Sequence, residues 1–288
     1  MGMILPHNDV PRFSHFFLAI LFAFASYAAR FLLDKFIFSR LSIWLVRNGA
    51  MNGRMNQATR SKVAKCSESM WKLTYYVIVE FWVLRAIYDQ PWFLDNKQYI
   101  RGWPNHDLQP AIALVYMCQC GFYMYSIAAL LFWETRRKDF SVMMSHHIIT
   151  VMLISGSYMT RFFRPGAVVL ALHDASDVFM EAAKVLKYAE KEFGASLFFG
   201  LFAISWLVLR LVIFPFWVIW SSSYYMIEVL RLSEASHVLL YYAFNTMLIT
   251  LLVFHIYWWI LICSMIIRQL KNRGHVGEDI RSDSEDED

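Results

Sequence analysis

The chain has 288 residues, of which 58% are hydrophobic and only 17% are charged. Soluble domains average about 45–50% apolar and about 25% charged residues, so a mean hydropathy of +0.40 excludes a soluble protein with an ordinary polar surface. The net charge is +4, but the basic residues form short clusters beside apolar runs, which argues against a nucleic-acid partner. The composition therefore predicts an all-α, polytopic membrane helical bundle that lies in a lipid bilayer.

About seven stretches are long enough to cross a bilayer, which needs about 20 mostly apolar residues. In chain order the predicted transmembrane helices are 13–33, 70–88, 111–133, 140–160, 166–188, 196–220 and 236–268. The second and the fifth are the least apolar. The first also has the small residues of a signal-peptide cleavage site, but its length and its weakly basic start favour a retained helix.

Basic residues mark alternate connections between these predicted helices. The third connection carries Arg136, Arg137 and Lys138, and the first connection carries seven lysines and arginines: Lys35, Arg40, Arg47, Arg54, Arg60, Lys62 and Lys65. The positive-inside rule then places the N-terminus in a lumen and the C-terminus in the cytosol, and an odd number of helices agrees with this. We therefore divide the chain into a lumenal N-terminus with the first helix (1–33), a basic cytosolic segment (34–69), a membrane domain (70–268) and an acidic, disordered cytosolic tail (269–288).

The fifth predicted helix carries an unusual number of ionisable residues. At 100° per residue they share one arc of about 140°. Each such group costs about 2.5–3.5 kcal/mol within a membrane, so this face must point into the bundle or into a wet cavity. The members of this polar stripe are His173, Asp174, Asp177, Glu181, Lys184 and Lys187.

Two adjacent histidines lie in the fourth predicted helix. His146 and His147 are about 10 Å inside its cytosolic end at 1.5 Å per residue, and Thr150 is one turn further on the same face. If the fourth and fifth helices are neighbours, the histidine pair faces the polar stripe. Three imidazoles and two carboxylates in a dry pocket are typical of acid–base or nucleophilic catalysis.

Other interpretations of these residues stay open at this point. Glu181 and Lys184 could simply form an ion pair with each other, and we interpret His237 and His255 as structural helix–helix hydrogen bonds. Three histidines and two aspartates could also bind one zinc ion. A di-iron hydroxylase is less well supported, because the chain lacks an HxxHH cluster. The four cysteines form no CxxC pair and indicate neither a disulfide framework nor a zinc site.

Residues 134–188 resemble the Lag1 motif of the ceramide synthases, which lies within the larger TLC membrane domain. The matching residues are Arg137 to Phe140, His146, His147, Thr150, Arg164, Gly166, His173, Asp174, Ser176, Asp177, Glu181 and Lys184. The acidic tail and the lack of a homeobox-like insert resemble the plant- and fungal-type members.

The resemblance implies N-acylation of a sphingoid base by a long-chain acyl-CoA in the endoplasmic reticulum membrane. Acyl-CoA would be the co-substrate, no metal or redox cofactor would be required, and a homo- or heterodimer is left open. We expect His146, His147, His173, Asp174 and Asp177 to be catalytic, with His146 as nucleophile or general base. We expect substrate binding by Arg136, Arg137, Lys138, Thr150, Ser176, Glu181 and Lys184, with the first three contacting the phosphates of CoA.

Two alternatives belong to other classes of protein. One is a non-catalytic TLC-domain protein with a lipid-sensing or translocation-associated role, although such relatives typically lack the full set of histidines and aspartates. The other is a metal-dependent membrane lipid hydroxylase, which metal analysis would identify.

Overall fold

The computed structural model describes residues 10–47, 55–134, 136–230 and 234–271. These ranges contain seven long helices and no β-strand. The helices are α1 (Phe13–Val46), α2 (Gln57–Ile87), α3 (Pro110–Phe132), α4 (Phe140–Met159), α5 (Phe163–Tyr188), α6 (Glu192–Val229) and α7 (Ala235–Lys271). The predicted all-α polytopic bundle is confirmed. The predicted tail lies outside the described residues except for 269–271, which continue α7.

Five of the seven helices are long and apolar enough to cross a membrane by length and composition: α1, α3, α4, α6 and α7. The other two, α2 and α5, are the second and fifth predicted helices, and their charged residues lower their hydropathy. α5 lies centrally, because it packs against α2, α4 and α6. The bundle therefore places the polar stripe of α5 against other helices, as a membrane requires.

The segment 34–69, predicted as a separate cytosolic unit, is largely helical. α1 continues from Leu33 through a π-helical turn at Asp34–Phe38 to Val46, and α2 begins at Gln57, where the side chain of Asn56 accepts a hydrogen bond from the Thr59 amide at 2.8 Å. Charged residues lower hydropathy without ending a helix, so both helices extend beyond the apolar runs that the sequence identified as membrane-spanning.

α1 contacts α3 at backbone distance. A Cβ atom at Gly121 would overlap the Ala19 carbonyl and would lie 2.7 Å from Cβ of Phe22. Only glycine permits this approach, which is the small-residue packing typical of membrane helices.

The connection between α2 and α3 closes one end of the bundle, which we call the loop end. The Trp103 indole donates a hydrogen bond to the Thr160 carbonyl at 2.7 Å and stacks on Phe162. Arg164 donates to the carbonyl of Gln98 at 3.0 Å. Arg161, with a φ of 63°, turns the chain sharply, so that α4 and α5 run antiparallel and place His146 and His173 in neighbouring parts of the bundle.

Candidate active site

Three histidines from three helices form the centre of the site. His146 on α4, His173 on α5 and His255 on α7 are 7%, 6% and 0% exposed. The ring of His255 lies 4.7 Å from that of His173 and 6.4 Å from that of His146, centre to centre. His255 therefore lies between two predicted catalytic histidines. Our interpretation of it as a helix–helix hydrogen bond is confirmed, but its partner is part of the site.

Hydrogen bonding fixes the tautomers of this imidazole pair. Nδ1 of His173 lies 2.6 Å from the Val169 carbonyl, which can only accept, so Nδ1 carries the proton. Neutral His173 then has its lone pair on Nε2, which lies 3.0 Å from Nε2 of His255. His255 must donate from Nε2. The arrangement holds His173 in one orientation with α7 as its support.

The adjacent histidines face aromatic residues. The Tyr123 ring on α3 lies 6.5 Å from His146 and 5.4 Å from His147, edge-on to both. On the other side Trp258 lies 5.3 Å from His146. The Trp258 indole donates to the Asp139 carboxylate at 2.9 Å, so the aspartate of the Lag1-like motif positions a neighbour of His146. Among the described residues no hydrogen bond joins the histidine pair to the polar stripe.

A residue of α3 forms a hydrogen bond with Asp174. It is fully buried, and one carboxylate oxygen accepts a hydrogen bond from the side-chain amide of Gln119. The Tyr75 hydroxyl donates to the other end of that amide at 3.1 Å, which fixes its orientation. The second oxygen of Asp174 is buried and has no hydrogen-bond partner among the described residues. Asp174 thus retains an open acceptor inside the site.

Asp177 is paired with a residue that the sequence analysis missed. Arg210 on α6 is 3% exposed, and its guanidinium lies 2.8 Å from the Asp177 carboxylate. It also donates to Ser176 Oγ at 2.8 Å and to the carbonyl of His173 at 2.6 Å. The signal was a single arginine in a long apolar run, which is costly in a membrane and indicates a buried partner. These bonds favour a structural role for Ser176, which is fully buried.

A charged cluster lies between the stripe and the predicted cytosolic surface. Lys72 contacts Glu68 and Glu134 at 2.9 Å each, and Arg137 lies 3.6 Å from Glu68. Burial and the neighbouring Glu68 raise the pKa of the Glu134 carboxyl, although Lys72 opposes this. The predicted pairing of Glu181 with Lys184 is confirmed at 2.7 Å.

The three predicted cations of the third connection differ in their surroundings. Arg136 and Lys138 are exposed, and the Arg136 guanidinium lies 4.4 Å from the centre of the Phe140 ring. Arg137 is more buried and belongs to the charged cluster. Arg136 and Lys138 are therefore the better placed to contact an anionic group from outside.

A largely apolar cavity extends from His173 toward the loop end. At the site it is lined by Tyr123, Thr150 and His173, and at the loop end by Ile100, Phe162 and Phe244. Thr150 also donates to the carbonyl of His146 at 2.7 Å. The apolar lining suits a long apolar ligand with its polar end at His173.

Glycine shapes the middle of this cavity. A Cβ atom at Gly166 would overlap the Tyr116 hydroxyl and lie 3.1 Å from Ser157 Oγ. The absence of a side chain lets the buried Tyr116 reach the Phe163 carbonyl at 3.0 Å.

Among the described residues, no three His, Cys, Asp or Glu side chains are placed to bind one metal ion. The geometry gives a reason, since both ring nitrogens of His173 already have protein partners. The zinc interpretation therefore has no donor set in this part of the chain.

Comparison with known proteins identifies the family. Residues 65–264 match the TLC domain model that covers the TRAM, LAG1 and CLN8 proteins. The chain belongs to the TLC domain family. It is a multi-pass membrane protein.

Several TLC-domain relatives cover nearly the whole chain. It is 60% identical over 275 residues to "Ceramide synthase LOH2" of Arabidopsis thaliana, which covers 95% of this chain and 93% of the relative. It is 45% identical over 293 residues to "Ceramide synthase 1 LOH3" of the same plant, covering 98% and 94%. "Ceramide synthase 5" of Mus musculus is 34% identical over 232 residues, covering 81% of this chain and 54% of the mouse protein.

Proposed function

We propose that this TLC-domain protein is a ceramide synthase. It transfers a long-chain acyl group from acyl-CoA to the amine of sphinganine or phytosphinganine in the endoplasmic reticulum membrane, with its N-terminus lumenal and its C-terminus cytosolic. The observation that carries the proposal is the apolar cavity that ends at His173 beside a cluster of buried imidazoles and carboxylates. Extensive identity to proteins named ceramide synthases supports it.

The geometry favours one orientation of acyl-CoA. The acyl chain occupies the apolar cavity, and its thioester lies near Thr150 and the imidazoles. His146 is six residues, or about 9 Å, from Phe140 at the start of α4, so the CoA moiety remains outside, where Arg136 and Lys138 meet its phosphates. The conversion of a thioester to an amide changes no oxidation state, so the proposal needs no metal or redox cofactor.

We assign the first chemical step to His146. A ring nitrogen attacks the thioester carbonyl, the C–S bond breaks, and the proton of the imidazolium passes to the departing CoA thiolate, with His147 as relay. In the second step the sphingoid amine attacks the acyl-imidazole, the amide forms, and the imidazole regains a proton.

The amine arrives as an ammonium and must lose a proton before it attacks. Asp174, with its open carboxylate oxygen, is better placed to bind the ammonium than Asp177, which is paired with Arg210. His147, whose buried Nδ1 has no hydrogen-bond partner among the described residues, then accepts the proton, because both ring nitrogens of His173 are engaged.

Acyl-CoA supplied alone to the purified protein tests the assignment. We expect CoA release of one equivalent and a covalent acyl adduct on His146, detected by mass spectrometry after proteolysis. His146→Ala should lower turnover at least about 10³-fold, as loss of a nucleophile does, with the same melting temperature in detergent. His237→Ala, which lies against Trp103 far from the site, is the matched control. Retained turnover in His146→Ala would contradict the assignment.

Two further measurements on the same preparation complete the test. Metal analysis should find no stoichiometric iron or zinc, because bound metal would favour the hydroxylase alternative. Size-exclusion chromatography with light scattering would show whether the homo- or heterodimer that the resemblance leaves open is formed.

A further inference from the structure

Tyr123 occupies the junction of the two histidines and the cavity. It is 4% exposed, its ring meets His146 and His147 edge-on, and it lines the cavity beside Thr150 and His173. The sequence analysis did not single it out, because a tyrosine in an apolar helix is ordinarily a packing residue.

The hydroxyl of Tyr123 has charged neighbours. It lies close enough to Asp174, Asp177 and Arg210 to interact electrostatically with all three. A residue needed only for packing would be cheaper as phenylalanine, as at the adjacent Phe122, because a buried hydroxyl must be desolvated. The hydroxyl therefore indicates that Tyr123 forms a polar interaction in addition to packing.

Three other polar groups at this end of the cavity are already engaged. Thr150 donates to the carbonyl of His146, and Nδ1 of His173 bonds to the carbonyl of Val169. The Gln119 amide donates to Asp174. Tyr123, His146 and His147 remain to donate to an oxygen of the substrate, and of these three Tyr123 alone lines the cavity.

We propose that Tyr123 is a further catalytic residue, whose O–H donates a hydrogen bond to the acyl oxygen when that oxygen becomes negatively charged. The inference rests on the acyl transfer proposed above. In each step a nucleophile nitrogen forms a bond to the carbonyl carbon, and the π electron pair moves to the oxygen. That pair returns when the C–S bond breaks, or in the second step when the bond to the imidazole breaks. Tyr123 keeps its proton throughout and stabilises the charge.

The chain offers a matched control on the same helix. Tyr125 lies two residues after Tyr123 and is also 4% exposed, but its ring packs against Trp71 and Trp133 and does not line the cavity. Tyr123→Phe and Tyr125→Phe each remove one oxygen atom and preserve the ring. Only the first should affect chemistry.

The test measures kcat and KM for acyl-CoA, and single-turnover CoA release, in full-length purified protein. We expect Tyr123→Phe to lower kcat about 10²- to 10³-fold, as loss of one oxyanion donor does, with KM changed less than about 3-fold. Tyr125→Phe should keep kcat within about 3-fold of the unaltered protein. A raised KM with unchanged kcat, or a kcat that falls less than about 3-fold in Tyr123→Phe, would overturn the inference.

A second variant keeps the test decisive if Tyr123→Phe does not fold. Incorporation of 4-aminophenylalanine at position 123 preserves the ring and keeps a weaker N–H donor at the same place, so kcat should fall about 10-fold with the KM for acyl-CoA unchanged. An unchanged kcat would also overturn the inference. Failure of the unaltered protein to form ceramide would instead contradict the proposed function.

Discussion

Arg210 and Asp177 form a buried ion pair at 2.8 Å that joins α6 to α5 inside the bundle. The same guanidinium lies 4.0 Å from the centre of the Trp206 ring and bonds to Ser176 and to the backbone beside His173. The pair therefore fixes both the charge balance and the backbone of α5 beside His173.

Removal of one member of this pair should destabilise the protein strongly. Arg210→Met leaves Asp177 buried without its cation, and we expect a loss of about 3–5 kcal/mol. Differential scanning fluorimetry in detergent measures the change. Arg210→Met combined with Asp177→Asn should recover much of the lost stability, because no uncompensated charge remains. If the double variant is less stable than Arg210→Met alone, the ion pair is not the cause.

Loss of the Gln119 amide should disturb Asp174 specifically. In Gln119→Leu the carboxylate loses its hydrogen-bond donor, and we expect a stability loss of about 1–3 kcal/mol together with lower kcat. Tyr75→Phe removes only the hydrogen bond from Tyr75 to Gln119, so it should have a smaller effect on stability and on kcat. Equal effects in the two variants would show that these hydrogen bonds do not act through Asp174.

His255 should act through the orientation of His173. In His255→Leu, Nε2 of His173 loses its donor, and we expect kcat to fall about 10- to 100-fold, less than the loss of a general base itself. His255→Gln can still donate from its amide and should recover most of this rate. KM should stay unchanged in both, and a rise in KM in place of a fall in kcat would contradict the positioning role.

Gly166 should tolerate no side chain. In Gly166→Ala the new methyl group overlaps the Tyr116 hydroxyl, so the ring must move into the cavity, at a cost of about 1–3 kcal/mol. Activity with the longest accepted acyl-CoA should fall first, which a chain-length panel would reveal. Gly200→Ala, which meets no atom within 4 Å, should be neutral or slightly stabilising. A similar loss of stability in both variants would point to a general helix effect.

The sequence predicted the parts of the site that depend on a single helix. The spacing of His173, Asp174, Asp177 and Glu181 follows from the geometry of one α-helix, and the Lag1-like motif identified the same residues. Five of the seven predicted transmembrane helices correspond, in the described ranges, to helices that are long and apolar enough to cross a membrane. The other two correspond to helices at the predicted positions.

What the sequence missed depends on how helices pack against each other. Gln119, Arg210 and His255 come from three other helices, and no periodicity within α5 indicates which of their side chains reach it. Arg210 was the most accessible of these, because an isolated charge in an apolar run requires a partner. Tyr123 gave no such signal, because its proximity to His146 and His147 depends on how α3 packs against α4.

The close contact of α1 with Gly121 links the position of α1 to that of two site residues on α3. α1 supplies none of the proposed catalytic residues, yet it presses on α3 between Gln119 and Tyr123, within two residues of each. Evolution can therefore not change Ala19, Phe22 and Gly121 independently: a larger side chain at 121 would require a compensating change on α1 or would displace both polar groups. These three positions should co-vary among relatives. A shortened protein that begins at α2 should lose acyl transfer even though every proposed catalytic residue is retained.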